Sequence, residues 1–189
     1  VLPFNNMTDD PKQDHFCDGL TEEIITALSK IRRLFIVARN STFLYKGKSI
    51  SVKQVAEDLG VRYVLEGSVR KSGDQLRITA QLIDATDDAH LWADKYTGTL
   101  DDIFVIQDEI ATQVVDELKV ALLVGEQARL KRHPTTDLAA YDAYLLGRQK
   151  MARRTSNALQ EAVGHFSEAI SLDSQYALAY VGLADAYVL

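Results

Sequence analysis

Apolar positions in the first third of the chain follow two rhythms. Leu20, Ile24, Leu28 and Ile31 recur three or four residues apart, which predicts a helix from about Asp18 to Ile31. Asp18 can cap it, and Glu22 and Glu23 then fall in a first turn where the helix dipole favours anions. Val1–Phe4 before it and Leu34–Ala38 after it are short apolar runs. They read as strands, so the chain opens like a β-α-β unit. Asn5–Asp14 and Arg39–Lys48 read as polar loops. Ser51 and Gln54 form a capping box, Ile50 and Val55 the matching hydrophobic staple, and Gly60 a C-terminal stop, which predicts a short helix.

From Val61 to Thr97 the rhythm changes to two. Leu76, Ile78, Ala80 and Leu82 alternate with Arg77, Thr79 and Gln81, the mark of a strand with one wet face. Turn residues at Lys71–Asp74 and Thr86–Asp88 divide this stretch into three antiparallel strands. Gly67, in mid-strand, reads as structural, marking either a bulge or a close approach by another element. Glu66 and Arg70 share a strand face and read as residues that pair across the sheet, and Trp92 as a packing residue. From Thr99 the period becomes 3.6. Ile103, Ile106, Ile110, Val114, Leu118 and Leu122 predict one amphipathic helix to about Leu123. After a charged break holding Pro134, three alanine-rich helices follow: Asp137–Ala152, Thr155–Leu172 and Ser174 onward.

The expected architecture is thus an α/β domain over 1–124 with a mixed sheet, a linker over 125–136, and an all-α unit over 137–189. Charge narrows the functional classes. The net charge is -6, with 20 acidic and 14 basic side chains up to Gly125, and 7 of each beyond it. An acidic body is unsuited to nonspecific duplex binding, which relies on many cations near phosphates. Cys17 is the only cysteine, so no internal disulfide forms. No apolar run reaches the ~18 residues of a membrane helix.

Candidate chemistry is sparse. His15, His90, His133 and His165 are scattered without metal-ligand spacing. Asp84, Asp87 and Asp88 lack the alternating ligands and glycine of a calcium loop. A phosphate loop and a nucleophile elbow are both missing, so no catalytic residue, cofactor site or metal site is expected. Cys17, placed near a helix start, has either a lowered thiol pKa or a plain packing role. The best recognition surface joins Asp18 and Gly19 to Arg39, Asn40 and Ser41. Were Arg39 to end a second parallel strand, it and the helix N-terminus could meet an anion. The alternative is that Asp18 caps while Arg39 and Tyr45 fasten the loop.

Two resemblances add to this reading. Ala162-x3-Phe166-x2-Ala169 followed by Tyr180-x2-Leu183-Ala184-x2-Tyr187, with Leu172–Ser174 at the turn, resembles a tetratricopeptide repeat. Gly147 takes the place of the glycine of its first helix. Ser174 stands where proline is usual, and the turn through Arg153–Asn157 is about three residues long for the repeat. The second set of motifs is Val1-Leu-Pro-Phe4, Phe16–Glu23, Ala38–Ser41 with Tyr45-Lys-Gly47, Leu59–Arg70, and Gln81–Ala85 with His90–Ala93. Together they resemble the TolB amino-terminal-like domain that precedes repeats in bacterial multidomain signalling proteins. Such proteins often carry a class III adenylate or guanylate cyclase domain, or a winged-helix domain, upstream.

The expectation is a noncatalytic sensory or scaffolding module of a cytoplasmic signalling protein, binding a protein or peptide through the repeat array. The alternatives are a periplasmic TolB-like envelope component and an enzyme with an unfamiliar site. Tyr180, Leu183, Ala184 and Tyr187 fall on one helix face, expected to rest partly on Phe166, Ala169 and Ile170. The chain stops inside what reads as the next repeat, so its remaining apolar edge is expected to self-associate.

Overall fold

The computed structural model describes residues 1–8, 10–123, 125–130 and 132–189, in two compact units, Val1–Arg132 and His133–Leu189. Asp9 in the first expected loop, Val124 at the expected domain limit and Lys131 in the expected linker lie outside the described residues.

The first unit is built on a four-stranded sheet in sequence order: β1 (Asn5–Asn6), β2 (Tyr63–Ser72), β3 (Gln75–Asp84) and β4 (Ala89–Thr99). β1 pairs with β2 in parallel, Asn5 opposite Ser68, whereas β2, β3 and β4 form an antiparallel meander. The mixed sheet and the meander follow the alternating pattern. Leu76, Ile78, Ala80 and Leu82 are all buried, which puts the core on that face of β3.

The opening unit differs from expectation in its second strand. Leu34–Ala38 pairs with no strand, and Phe35 is 84% exposed. The parallel partner of the N-terminal segment is β2 instead, reached through α1 (Asp14–Ser29), α2 (Arg39–Thr42) and α3 (Val52–Leu59). Pairing of the first segment is also shifted. Asn5–Asn6, not Val1–Phe4, forms the ladder, although the Leu2 amide already donates to the Leu65 carbonyl at 2.8 Å. The two expected loops hold short helical turns at Pro11–Gln13, Arg39–Thr42 and Phe43–Tyr45.

Other boundaries move for identifiable reasons. α1 starts at Asp14, four residues before the expected cap, so Asp18 lies inside it. Asn6 Nδ2 donates to the Asp14 carboxylate at 2.7 Å, tying that first turn to β1. For α3 the sequence signal holds. The Ser51 hydroxyl accepts from the Gln54 amide at 3.2 Å, and Gly60 closes the helix at φ 64°. Gln54 does not complete the reciprocal box, because its side-chain amide donates to Asp58. The long helix is α4 (Ile103–Glu117), entered through a capping box at Thr99 and Asp102. It ends well before Leu123, as Lys119 turns left-handed at φ 51°, and Leu122 falls outside it.

Within the expected linker, Glu126–Leu130 forms α5. The buried Glu126 carboxylate accepts from the amides of Leu123 at 2.7 Å and Arg32 at 3.1 Å, holding α5 to the first unit. The second unit comprises α6 (Leu138–Met151), α7 (Ser156–Leu172) and α8 (Ala177–Val188). Asp137 and Thr155 cap the first two through the amides of Ala140 and Ala158.

Candidate functional site

The expected recognition surface is assembled differently from the way its residues suggested. Asp18 and Gly19 sit inside α1 rather than at its N-terminus, and Arg39 opens α2 rather than ending a strand. Arg39 Nε lies 3.1 Å from Glu22, with its guanidinium carbon 3.8 Å from the centre of the Phe43 ring. Lys46 Nζ reaches Asp18 at 2.6 Å and Asp14 at 3.6 Å. Burial raises the Asp18 pKa, and the Lys46 ammonium pulls it back down. Both cations therefore face carboxylates of α1, and an anion would have to displace them. Each pair is partly solvated and stabilises by only ~0–1 kcal/mol. Tyr45 donates to Asp58 at 3.1 Å, so Arg39, Lys46 and Tyr45 together fasten the 39–48 segment. Asn40 is exposed and Ser41 half-buried beside them.

Cys17 is core. It is 1% exposed, and burial, reinforced by Asp14 and Asp18, pushes its thiol up to about 12. The idea of a lowered pKa is thereby corrected: the helix starts one turn too early for its dipole to favour the thiolate. Nearby Thr21 carries a role that no sequence signal announced. Its buried hydroxyl accepts from the Phe4 amide at 2.9 Å and donates to the Cys17 carbonyl at 2.8 Å, locking the N-terminal segment onto α1.

Glu66 finds a partner across the sheet, while Arg70 reaches a backbone carbonyl beside β1. Gln81 Nε2 donates to Glu66 at 2.5 Å, and Arg70 donates to the Met7 carbonyl at 3.2 Å. Trp92 is half-buried on β4 beside Tyr96, ring centres 6.4 Å apart. Asp84 accepts two hydrogen bonds from Arg62, at 2.9 and 2.7 Å, and one from the Thr86 amide at 3.0 Å. These lower its pKa to about 2, the Arg62 hydrogen bonds contributing most. Among the described residues, no group of three His, Cys, Asp or Glu side chains is placed to hold a metal ion.

One concave feature of the first unit is a mainly apolar cavity of about 430 Å³. Its walls come from the end of α1 (Leu28), the unpaired 33–37 segment, α3 (Val55), β2 (Val64) and the end of α4 (Val114, Leu118). The volume falls in the range of small-molecule sites, roughly 300–1,000 Å³. The unpaired segment 33–37 stands as one of its walls.

In the second unit, the candidate packing residues separate into two groups. Phe166, Ala162 and Ala169 are fully buried. A Cβ added at Gly147 would lie 2.7 Å from Cε1 of Phe166, and one at Gly182 would lie 2.6 Å from the same atom. Both glycines therefore give the Phe166 ring its room, one on α6 and one on α8. Tyr144 packs against Phe166 and Tyr176 with ring centres 5.8 and 5.0 Å apart. Of the Tyr180–Tyr187 stripe most is solvent-facing: Tyr180 is 48% and Tyr187 72% exposed, Ala184 is exposed, and Leu183 half-buried. The inward face of α8 is Ala179, Gly182 and Ala186, whose small side chains let the helix approach closely. No described helix is long and apolar enough to cross a membrane.

Residues 1–113 match the profile of the family described as HilA/YgeH-like transcriptional regulator, second domain. A Rhizobium meliloti (strain 1021) protein named "Putative adenylate cyclase 3" is 45% identical over 184 residues. That alignment covers 97% of this chain and 31% of the relative, so the chain spans about a third of the relative's length. Among solved structures, TolB from Acinetobacter baumannii aligns at TM-score 0.44 and 14% identity, over 65% of this chain and 30% of that one. A PelC dodecamer protein from Paraburkholderia phytofirmans aligns at TM-score 0.38 and 19% identity, over 62% and 85% respectively. Both scores are below 0.5, and neither likeness bears on what this chain does.

Proposed function

The chain belongs to the HilA/YgeH-like transcriptional regulator second-domain family, and from that premise we propose that it is a noncatalytic regulatory and scaffolding module of a longer bacterial signalling protein. One observation carries this reading. The same α/β domain recurs in a family named for transcriptional regulators and, with the helical unit attached, inside a relative named for adenylate cyclase. A module found beside two unrelated outputs supplies what they share, namely regulation or assembly, and not the output chemistry. The parent protein accordingly places its cyclase or DNA-binding chemistry elsewhere, and works in the cytoplasm where those substrates are.

The helical unit is, in this proposal, a tetratricopeptide-like pair followed by the first helix of a further repeat. Phe166 seated against Gly147 and Gly182 supports it, because close helix approach around one large ring is what stacks such units. Its partner is a protein or peptide, or a second copy of the chain, and the exposed Tyr180, Val181 and Tyr187 favour such a contact. Incubation of the purified chain with ATP or GTP and Mg²⁺ or Mn²⁺ tests the noncatalytic assignment. No cyclic AMP or cyclic GMP is expected; product above a heat-denatured control would overturn it.

A further inference from the structure

We infer that the apolar cavity of the first unit binds an amphiphile with one alkyl chain and one anionic head, of the long-chain carboxylate class. The inference is independent of the regulatory reading and rests on three features of the cavity itself.

The first is that its volume, about 430 Å³, is enough to take a single alkyl chain, within the roughly 300–1,000 Å³ of small-molecule sites. Its walls are mainly Leu, Ile and Val, which offer water few partners, so an apolar chain gains by displacing water from them. The second is the wall at 33–37. No strand pairs with it, so it can shift to admit a chain without breaking a ladder. The third is charge. Among the described residues no carboxylate side chain lines the cavity, while Arg33 and Arg62 do. The Arg62 guanidinium is already held by Asp84 through two hydrogen bonds. Arg33 is exposed and has no ion-pair partner among the described residues. An uncommitted guanidinium beside an aliphatic chamber favours an anionic head: the alkyl chain fills the space, and Arg33 meets the carboxylate at the mouth.

Isothermal titration of the delipidated chain with dodecanoate, kept below its micellar concentration, tests this. One molecule per chain is expected to bind, with dodecanol and dodecylammonium each at least about tenfold weaker. Arg33→Gln should weaken dodecanoate about tenfold while leaving dodecanol unchanged. Leu118→Trp should abolish binding by filling the chamber. Val120→Trp, altering a half-buried loop position of the same wall, serves if the melting curve shows that the first variant does not fold. Native mass spectrometry gives the stoichiometry. Absence of dodecanoate binding, equal binding of the three head groups, or binding unaffected by both the charge and the filling variants would each overturn the proposal.

Discussion

Gly67 is the position where one added methyl group has the clearest consequence. It sits in the middle of β2 opposite Ala80. A Cβ there would collide with the Thr79 carbonyl oxygen and the Phe4 ring, lying 2.7 Å from Phe4 Cδ1. Neither neighbour yields easily. The carbonyl belongs to the paired central strand β3, and Phe4 is 1% exposed, locked through its amide to Thr21. Overpacking of this kind costs about 1–3 kcal/mol. Removing a glycine from a strand returns roughly 0.5–1 kcal/mol of backbone entropy, so the clash wins. The net loss for Gly67→Ala is about 1–2 kcal/mol, and Gly67→Val falls toward the upper end of the overpacking range. For a unit of this size each kcal/mol lowers the melting temperature by roughly 3–6 °C. Trp92, the only tryptophan, lies in the first unit and reports its unfolding separately from the helices. Urea and thermal transitions followed by Trp92 fluorescence should therefore shift by about 3–12 °C for Gly67→Ala. Adding Phe4→Leu should cost less in the Gly67→Ala background than alone, since part of the clash is already relieved. A melting temperature unchanged by Gly67→Ala, or strict additivity of the pair, would refute the close-approach argument.

Three further outcomes are expected. Gly182→Ala should lower the stability of the helical unit by about 1–2 kcal/mol, despite a helix-propensity gain of roughly 1 kcal/mol, because the new Cβ meets Phe166. Gly164→Ala on α7, with nothing within 4 Å, should instead stabilise it, and far-UV circular dichroism distinguishes the two signs. For Asp84 the folded pKa is depressed to about 2 from an unfolded value near ~3.9, so its stabilising contribution is complete above about pH 4 and is lost as pH falls toward 2. Asp84→Asn should flatten that limb of the acid-unfolding curve read by Trp92, and an unchanged limb would contradict the Arg62 pairing. Cys17, with its thiol pushed up to about 12, should react with a disulfide reagent at pH 8 only as the protein unfolds. Rapid labelling of the native chain would show that it is not core.

What the sequence determined by itself is what neighbours along the chain decide. Alternation over Leu76–Leu82 places β3 and its buried face. Ser51 and Gly60 bound α3, since a hydroxyl cap and a left-handed glycine act within one turn. The helical period after Asp137 likewise yields α6, α7 and α8 almost to their ends. Tertiary structure decided whatever needs a distant partner. Leu34–Ala38 has the composition of a strand but joins no ladder, and the N-terminal segment takes its parallel partner from β2, some 60 residues on. That choice leaves 33–37 as the wall of a cavity no linear pattern announces. On α8, spacing picked out one stripe of large residues. Packing buried a neighbouring, small-residue face of Ala179, Gly182 and Ala186, because Gly182 lets the backbone come close to the Phe166 ring. Periodicity identifies a face; which face is buried depends on the shape of what lies against it. The expected anion surface failed in its detail for the same reason. Asp14, Asp18 and Glu22 line one side of α1, and folding sets Lys46 and Arg39 against them.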